Sequence, residues 1–503
     1  MRTDVLARSV GPISPPVVVG VVLAVCAAAL PAIGRYTGNT ILLICFVVAN
    51  GMMLVLALPR PRLYGYAFLA LFLFLGFGNK VLAFWTLGIA LEEPTGGFDG
   101  SGQAWDAAIL PSIAAAIALV TVRLVHLRLA PARIDLPQPM VSPPTWYLSS
   151  RVWVMSASVA LVVALNALNL VEAFYQIGLK PRLILPANLN VAVSWLLTNG
   201  MALWIAMLVG WELAIRASRP GMTLLLPLIE AMVAVSLLSR ASFLFRALSY
   251  VSVAANHGSQ LVRILGRQWI ALLVAATLAG FIFSLAAVSV LRTVSYPPRV
   301  LPPESVTTNP EPIAPIVEPI APILEAPMAE LSRSALPVLG ELKGMLVGRW
   351  IGIEGAMAVA SYPGRDITLF ARSLIENPAS GQDSLYQHVA GSPYATSGQF
   401  VFLTTPGVVA VLYYSGSLIV VFIGVVSLGG LLILAEMAAA RFVRNAFVVS
   451  LAMLSVANGM AQMTFPYLFI VLCVQEFVTL GTLAVVNASW RWERHDSRRT
   501  AQI

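Results

Sequence analysis

Residues 268–292 read QWIALLVAATLAGFIFSLAAVSVLR, with a single charged residue, Arg292, at the far end. A run of this kind is long and apolar enough to cross a bilayer core, which takes about 20 residues of helix. It does not stand alone. On either side of it, comparable runs fall near 16–34, 39–58, 64–84, 107–127, 152–171, 190–213, 221–238, 240–256, 406–435, 445–460 and 465–488. The expectation is an all-α polytopic membrane protein with about 12 transmembrane helices. The run at 240–256 is the least regular of them, because it carries Arg246. The first run has no small-residue cleavage pattern after it and reads as a retained span rather than a signal peptide.

Composition agrees: 58% of residues are hydrophobic, 11% are charged, and the mean hydropathy is +0.84. These values exclude an ordinary soluble domain. Orientation follows from the short connections. If the N-terminus with Arg2 and Arg8 is cytoplasmic, so are Arg60, Arg62, Arg123, Arg128, Arg133, Arg151, Arg216, Arg219, Arg263, Arg267, Arg441 and Arg444. The tail residues Arg491, Arg494, Arg498 and Arg499 join them, making 18 of the 31 basic residues. Basic residues concentrate on the cytoplasmic side of membrane proteins, so both termini are expected inside. The net charge of +8 belongs to this topology and gives no reason to expect nucleic acid. Cys26, Cys45 and Cys473 all lie within apolar runs and have no metal-ligand spacing, so neither a metal site nor a disulfide framework is implied.

The chain divides into an N-terminal membrane bundle (1–292), a Pro-rich linker (293–330), a loop subdomain (331–405), C-terminal membrane helices (406–488) and a cytoplasmic tail (489–503). The polar island 293–406 holds ten of the 23 acidic residues and is expected outside. Its first part contains EPIAPIV at 311–317 and EPIAPIL at 318–324, an extended, polyproline-like spacer. From Leu331 the character changes. Leu336–Val347 is helix-compatible, and 366–377 has apolar residues at helical spacing before Pro378. A small, mainly helical subdomain lying on the outer membrane face is expected.

No Gly-rich phosphate loop, His-Glu-x-x-His, Gly-x-Ser-x-Gly or paired cysteines occur. The chemical signal is instead a set of cations at the outward side: Lys80, Arg240, Arg246, Arg349, Arg365 and Arg372. Placement there runs against the usual charge bias and requires compensation. Guanidinium groups make forked bonds to phosphate oxygens. The competing reading is that Arg240 or Arg246 pairs with Glu230 inside the bundle. In GRWIGIEG, residues 348–355, Arg349 and Glu354 would not share a helix face. There the glycines permit close approach to a ligand, or let a helix rest on the membrane surface, and Trp350 could stack on a sugar. Tyr362 and His388 are further outward candidates. Glu212 and Glu436 sit near cytoplasmic span ends, where snorkelling accounts for them. Glu230 and Glu476 lie deeper and would matter more in a transporter.

Three segments carry a family resemblance: Gly348–Val359, Glu230 with Ser239-Arg240-Ala241, and Thr404–Gly407 leading into Tyr414–Ser417. With about a dozen spans and one dominant late outer loop, the chain resembles the bacterial O-antigen and exopolysaccharide repeat-unit polymerases, the Wzy-type, GT-C-like membrane glycosyltransferases. The resemblance implies transfer of a glycan from undecaprenyl pyrophosphate onto a second lipid-linked oligosaccharide at the periplasmic face of a bacterial inner membrane, with the 293–406 loop in the periplasm and membrane lipid and a chain-length regulator as partners. No metal, nucleotide sugar or other cofactor is implied, because the lipid pyrophosphate is the leaving group. On this reading Arg240, Arg349 and Arg365 hold the pyrophosphate, Lys80, Arg372, Trp350 and Tyr362 support binding, and Glu354 is the candidate base. An O-antigen ligase-like transferase would share the fold and donor. A lipid-linked sugar transporter or flippase is the rival from another class.

Overall fold

A computed structural model describes residues 15–58, 63–129, 140–177, 181–183, 185–215, 223–295, 344–377, 384–392 and 405–500. Every regular element among them is a helix. Helices α1 (Pro15–Arg35) and α2 (Thr40–Val55) form the first pair; Asn39 caps α2 by accepting the Ile41 N–H at 2.9 Å. Helix α3 runs Tyr64–Leu73, passes through a π-helical stretch Phe74–Asn79, and resumes at Lys80–Leu87. Helices α4 (Gly102–Leu129) and α5 (Thr145–Glu172) follow. Helix α6 is interrupted in the same way as α3, running Ala187–Trp195, then a π-helical Leu196–Gly200, then Met201–Ile215. Helices α7 (Leu225–Ser236), α8 (Arg240–Leu265) and α9 (Arg267–Ser295) complete the first part of the chain.

Beyond the linker come three short helices, α10 (Ile353–Ser361), α11 (Ile367–Ile375) and α12 (Leu385–Ala390). Then follow α13 (Val408–Tyr413), α14 (Leu418–Phe442), α15 (Ala446–Ala461) and α16 (Pro466–Thr500). The helices interleave rather than forming an N-terminal and a C-terminal bundle: α15 packs against α3, α6, α8, α14 and α16, while α14 lies along α4.

Seven helices or helix pairs are long and apolar enough to cross a membrane, and α1, α2, α7 and α15 provide shorter apolar helices. The run 268–292 is the diagnostic case. Only 6% of the apolar window in α9 is buried, and Leu278, Ile282, Phe283 and Val290 are about 60% exposed. An apolar face this bare is stable only against hydrocarbon. At the other extreme α15 is buried along nearly its whole length and forms the centre of the bundle.

Helices cover all twelve apolar runs, with departures at particular places. The run 406–435 is two helices. Gly416 at φ 68° makes the turn, and Ser417 restarts the chain by accepting the Val420 N–H. The last helix continues past 488 to Thr500. Helix α11 matches the expectation for 366–377, with Asp366 capping the Leu369 N–H at 2.7 Å. Pro378, the linker 297–327 and residues 336–343 lie outside the described residues, and Gly344–Gly348 is a π-helical turn. The expected resting place of the loop region needs correction. Helix α10 is not laid on the membrane face: Ile353 to Val359 are all buried, because α10 inserts among α4, α12 and α13.

Candidate functional site

Helix α10 enters the bundle through close backbone contact. Gly352 lies against the backbone of Gly76 in the π-helical stretch of α3, Gly76 lies against the Ile351 carbonyl, and Gly355 lies against the Pro406 carbonyl. A Cβ at any of the three would overlap main-chain atoms that cannot rotate away. These glycines therefore serve helix docking, and they neither open a path to a ligand nor lay a helix on the membrane. The docking brings the Lys80 Nζ to 2.5 Å from the Glu354 Oε1, with the two residues 1% and 3% exposed. Lys80 is thus not an outward surface cation: it is the buried counter-ion of the carboxylate expected to act as base. Trp350 is likewise committed to packing. It stacks on Phe72 at 5.9 Å and meets the edge of Phe245 at 5.8 Å, so its ring is part of an aromatic trio rather than an open sugar platform. Among the described residues its buried indole N–H has no acceptor.

The remaining outward residues of this region separate. Arg349 is exposed just before α10. Arg365 turns back to cap α10: its guanidinium donates to the Ala360 carbonyl and lies 5.4 Å over the Tyr413 ring. A cation at a helix C-terminus satisfies carbonyls that have no partner within the helix. Arg372 and His388 are exposed and Tyr362 is half-buried. Between them Glu376 accepts the Leu385 N–H at 2.7 Å, tying the end of α11 to the start of α12. Burial pushes the Glu376 carboxyl above its ordinary value, against the opposing pull of the Leu385 N–H, Arg372 and His388.

The site that the sequence did not foretell is a cleft of about 480 Å³ between the first turns of α6, α8 and α16 and the last turns of α15. Tyr175, Ile177 and Leu237 close one side of it. This rim is built by buried amides in α5. Asn169 donates to the Tyr175 and Ser236 carbonyls at 2.9 Å and accepts the Tyr175 N–H, and Ser236 donates to Asn166. Leu238, at φ 51°, holds the tight turn into α8, its carbonyl accepting from Arg292 at 2.9 Å. A leucine in the left-handed region persists only where its surroundings over-determine it.

Arg246 reaches into the cleft wall. Its NH1 donates to Glu230 Oε2 at 2.8 Å, and its NH2 donates to the Leu197 and Thr198 carbonyls at 3.1 and 2.5 Å. Those carbonyls belong to the π-helical stretch of α6, whose altered bonding turns main-chain acceptors outward. The Tyr250 hydroxyl occupies the second oxygen of Glu230 at 3.1 Å. Of the two sequence readings, the ion pair is therefore the one Arg246 adopts. Arg240 begins α8 behind the Ser239 cap, half-buried. Phe245 lines the cleft and is also the ring that meets Trp350, so one aromatic contact joins the cleft to the α10 insertion.

Two glutamates at the opposite end correct an expectation. Glu436 does not snorkel: it is 3% exposed and accepts the Tyr64 and Gly65 N–H groups at 2.6 and 2.7 Å, capping α3 from α14. A carboxylate at a helix N-terminus is favoured by the aligned peptide dipoles. Glu212 is equally buried, bonded to the Tyr147 hydroxyl at 2.6 Å and to Arg151 Nε at 2.7 Å. Glu476 differs from both. Among the described residues no well-aligned hydrogen bond reaches either oxygen, and the Ser455 hydroxyl is the polar group set against it.

The structure thus brings Lys80 and Glu354 together, packs Trp350 against Phe72 and Phe245, and places Arg246 in the cleft wall. It leaves Arg365 in the connection between α10 and α11 and Arg372 on α11. The cleft is lined by Leu, Val, Ile and Phe side chains with Asn, Gln, Ser and Trp set among them, and those polar side chains inside apolar runs were the available signal. Among the described residues no group of His, Cys, Asp and Glu could hold a metal ion. No protein-family model, curated protein or solved structure matches the chain.

Proposed function

We propose that this chain is a membrane glycosyltransferase that polymerises undecaprenyl-pyrophosphate-linked oligosaccharide repeat units at the periplasmic face of the bacterial inner membrane. In this reading all twelve apolar helices cross, both termini are cytoplasmic, and the 293–406 region is periplasmic. The observation that carries it is the cleft of about 480 Å³ at the N-terminal ends of α6, α8 and α16, joined by the contact of Phe245 with Trp350 to the segment that leads into the buried α10. Its volume is that of a small-molecule site, for which about 300–1,000 Å³ is typical.

The transfer needs two things from the protein. Negative charge building on the departing pyrophosphate must be stabilised by fixed donors, and the acceptor hydroxyl must lose a proton. Arg349, exposed before α10, and Arg240, at the start of α8, are the cations suited to stabilising that charge. Arg372 is a further exposed cation of the same region. Arg365 is committed to the end of α10 and to Tyr413, and is assigned to positioning. Glu354 can act as a base only if the Lys80 ammonium leaves it; bound as it is, the pair holds α10 in place. We therefore assign Lys80 and Glu354 to positioning the loop that carries Arg349.

The test is deletion of the gene in its host, followed by analysis of lipid-linked glycans by gel and mass spectrometry, with complementation by wild type, Arg349→Ala and Arg240→Ala. Single repeat units accumulating in the deletion and in Arg349→Ala support a polymerase. Intact polymer that fails only to be attached to its final carrier points to a ligase-like transferase. Normal, attached polymer in every strain rejects both and leaves transport.

A further inference from the structure

The chemistry of the cleft wall defines what the cleft can hold, and it does not favour phosphate. The cation among its described lining residues, Arg246, is neutralised by Glu230, and both terminal nitrogens of its guanidinium are spent on Glu230 and the Leu197 and Thr198 carbonyls. A phosphate entering the cleft would meet a guanidinium whose charge is already balanced by the buried Glu230. The other polar lining is uncharged: Asn190, Asn458 and Gln475 supply amides, and Ser194, Ser242 and Ser455 supply hydroxyls. The Asn458 Oδ1 is buried and accepts no hydrogen bond from the described residues. A buried acceptor without a donor is uncommon in a folded protein and points to a partner bearing an O–H or N–H. Trp195, whose indole N–H donates to Thr479 at 3.2 Å, is held with its ring lining the same space.

Side-chain amides, hydroxyls and a fixed aromatic ring, set among leucine and valine side chains such as Leu454, Leu468 and Val471 in a charge-neutral cavity, suit the hydroxyls and the apolar C–H faces of a neutral sugar. We propose that the cleft between α6, α8, α15 and α16 binds the uncharged sugar residues of the lipid-linked glycan, and that the pyrophosphate stays outside it. This deepens the function proposed above and rests on that reading for the source of the sugar. The charge pair that looks like an anion site is structural instead. It fixes the π-helical stretch of α6 to α8, so that Ser194, Thr198 and Phe245 face one cavity.

The test is photo-crosslinking of the full chain in the cells that make it. p-Benzoylphenylalanine is placed at Ser455 and, in a second variant, at Ser194, so that one misfolded variant does not end the experiment. Adducts are analysed by mass spectrometry for hexose, prenyl and phosphate mass. The expected result is a glycan-bearing adduct at both positions. Asn458→Leu, added to either variant, should reduce it about tenfold, the equivalent of one lost hydrogen bond of roughly 1.4 kcal/mol. The thermal stability of each purified variant is measured alongside. Adducts carrying only prenyl or phospholipid mass at both positions overturn the proposal, as does the absence of any adduct from two stably folded variants. Polymer is assayed in the parallel deletion strain. A glycan adduct together with normal polymer in that strain keeps the sugar site and discards the polymerase; loss of polymer with lipid-only adducts does the reverse.

Discussion

Replacing Lys80 by methionine leaves the Glu354 carboxylate buried and unpaired at the point where α10 enters the bundle. The Lys80 Nζ lies 2.5 Å from the Glu354 Oε1, and unit charges about 4 Å apart at an effective dielectric constant of about 20 attract by roughly 4 kcal/mol. Breaking one side of a buried pair typically costs about 3–5 kcal/mol, because the surviving charge has lost its solvation as well as its partner. With Lys80 and Glu354 only 1% and 3% exposed, water cannot easily replace the lost ammonium. Lys80→Met and Glu354→Leu should therefore each lower stability by about 3–5 kcal/mol, while the double variant should recover most of the loss. The assay is a double-mutant cycle on purified protein in nanodiscs, using reversible denaturation in mixed micelles with heat-induced loss of monodispersity as a check. Single variants within about 0.5 kcal/mol of wild type would overturn this account of the pair, since that is the range of an ordinary surface change. Glycan polymer made by the double variant separates the roles further. Polymer restored along with stability marks the pair as positioning, whereas full stability without polymer returns Glu354 to the chemistry.

Neighbouring contacts give further expected outcomes. Gly352→Ala places a methyl group against the Gly76 backbone and should cost about 3 kcal/mol or more, as overpacking against main chain does, whereas Gly481→Ala, with open space around it, should change little; thermal denaturation of the two variants compares them. Glu436→Ala leaves two N–H groups of α3 without acceptors and should lose about 2–4 kcal/mol, with Glu436→Gln losing less, read by the same denaturation. Glu376 contributes the opposite pH dependence from a salt-bridged carboxylate. Its folded value is raised above 4.5 by burial, so its favourable contribution is full below 4.5 and is lost as pH rises through the folded value. Glu376→Gln should accordingly gain stability relative to wild type at about pH 8 compared with about pH 4.5, measured by melting in nanodiscs. Glu476→Gln removes a buried carboxylate that has no well-aligned partner among the described residues and should leave stability unchanged or raised, while abolition of function with stability intact would make Glu476 part of the working site.

Much of the fold was legible because burial in a bilayer imposes a one-dimensional rule: a helix must be apolar for about 20 residues whatever its neighbours are. Lengths and positions of runs such as 107–127 and 268–292 follow from that rule. It says nothing about which helix is central. The runs that became α9 and α15 are similar in composition, yet α9 leaves its apolar face exposed and α15 is enclosed by other helices. Lipid tails and leucine side chains are equally apolar, so hydropathy cannot separate a lipid-facing span from a core span. The glycines of GRWIGIEG show the same limit. Their spacing marked a place of close approach, and only the packed structure showed that the approaching group is the backbone of Gly76.

Local composition and spacing within single segments were enough for the apolar helices, for the helix within 366–377, and for the presence of charges that needed partners inside the bundle. The partners themselves emerged only on packing: Lys80 with Glu354 across 274 positions, Glu436 with the start of α3 across 372, and Arg246 with the π-helical carbonyls of α6. The cleft left between four helices distant in the chain emerged the same way. A buried charge specifies that compensation is required, because desolvation is costly wherever it occurs. Which group supplies the compensation depends on how the helices are stacked, and that is a property of the assembled bundle.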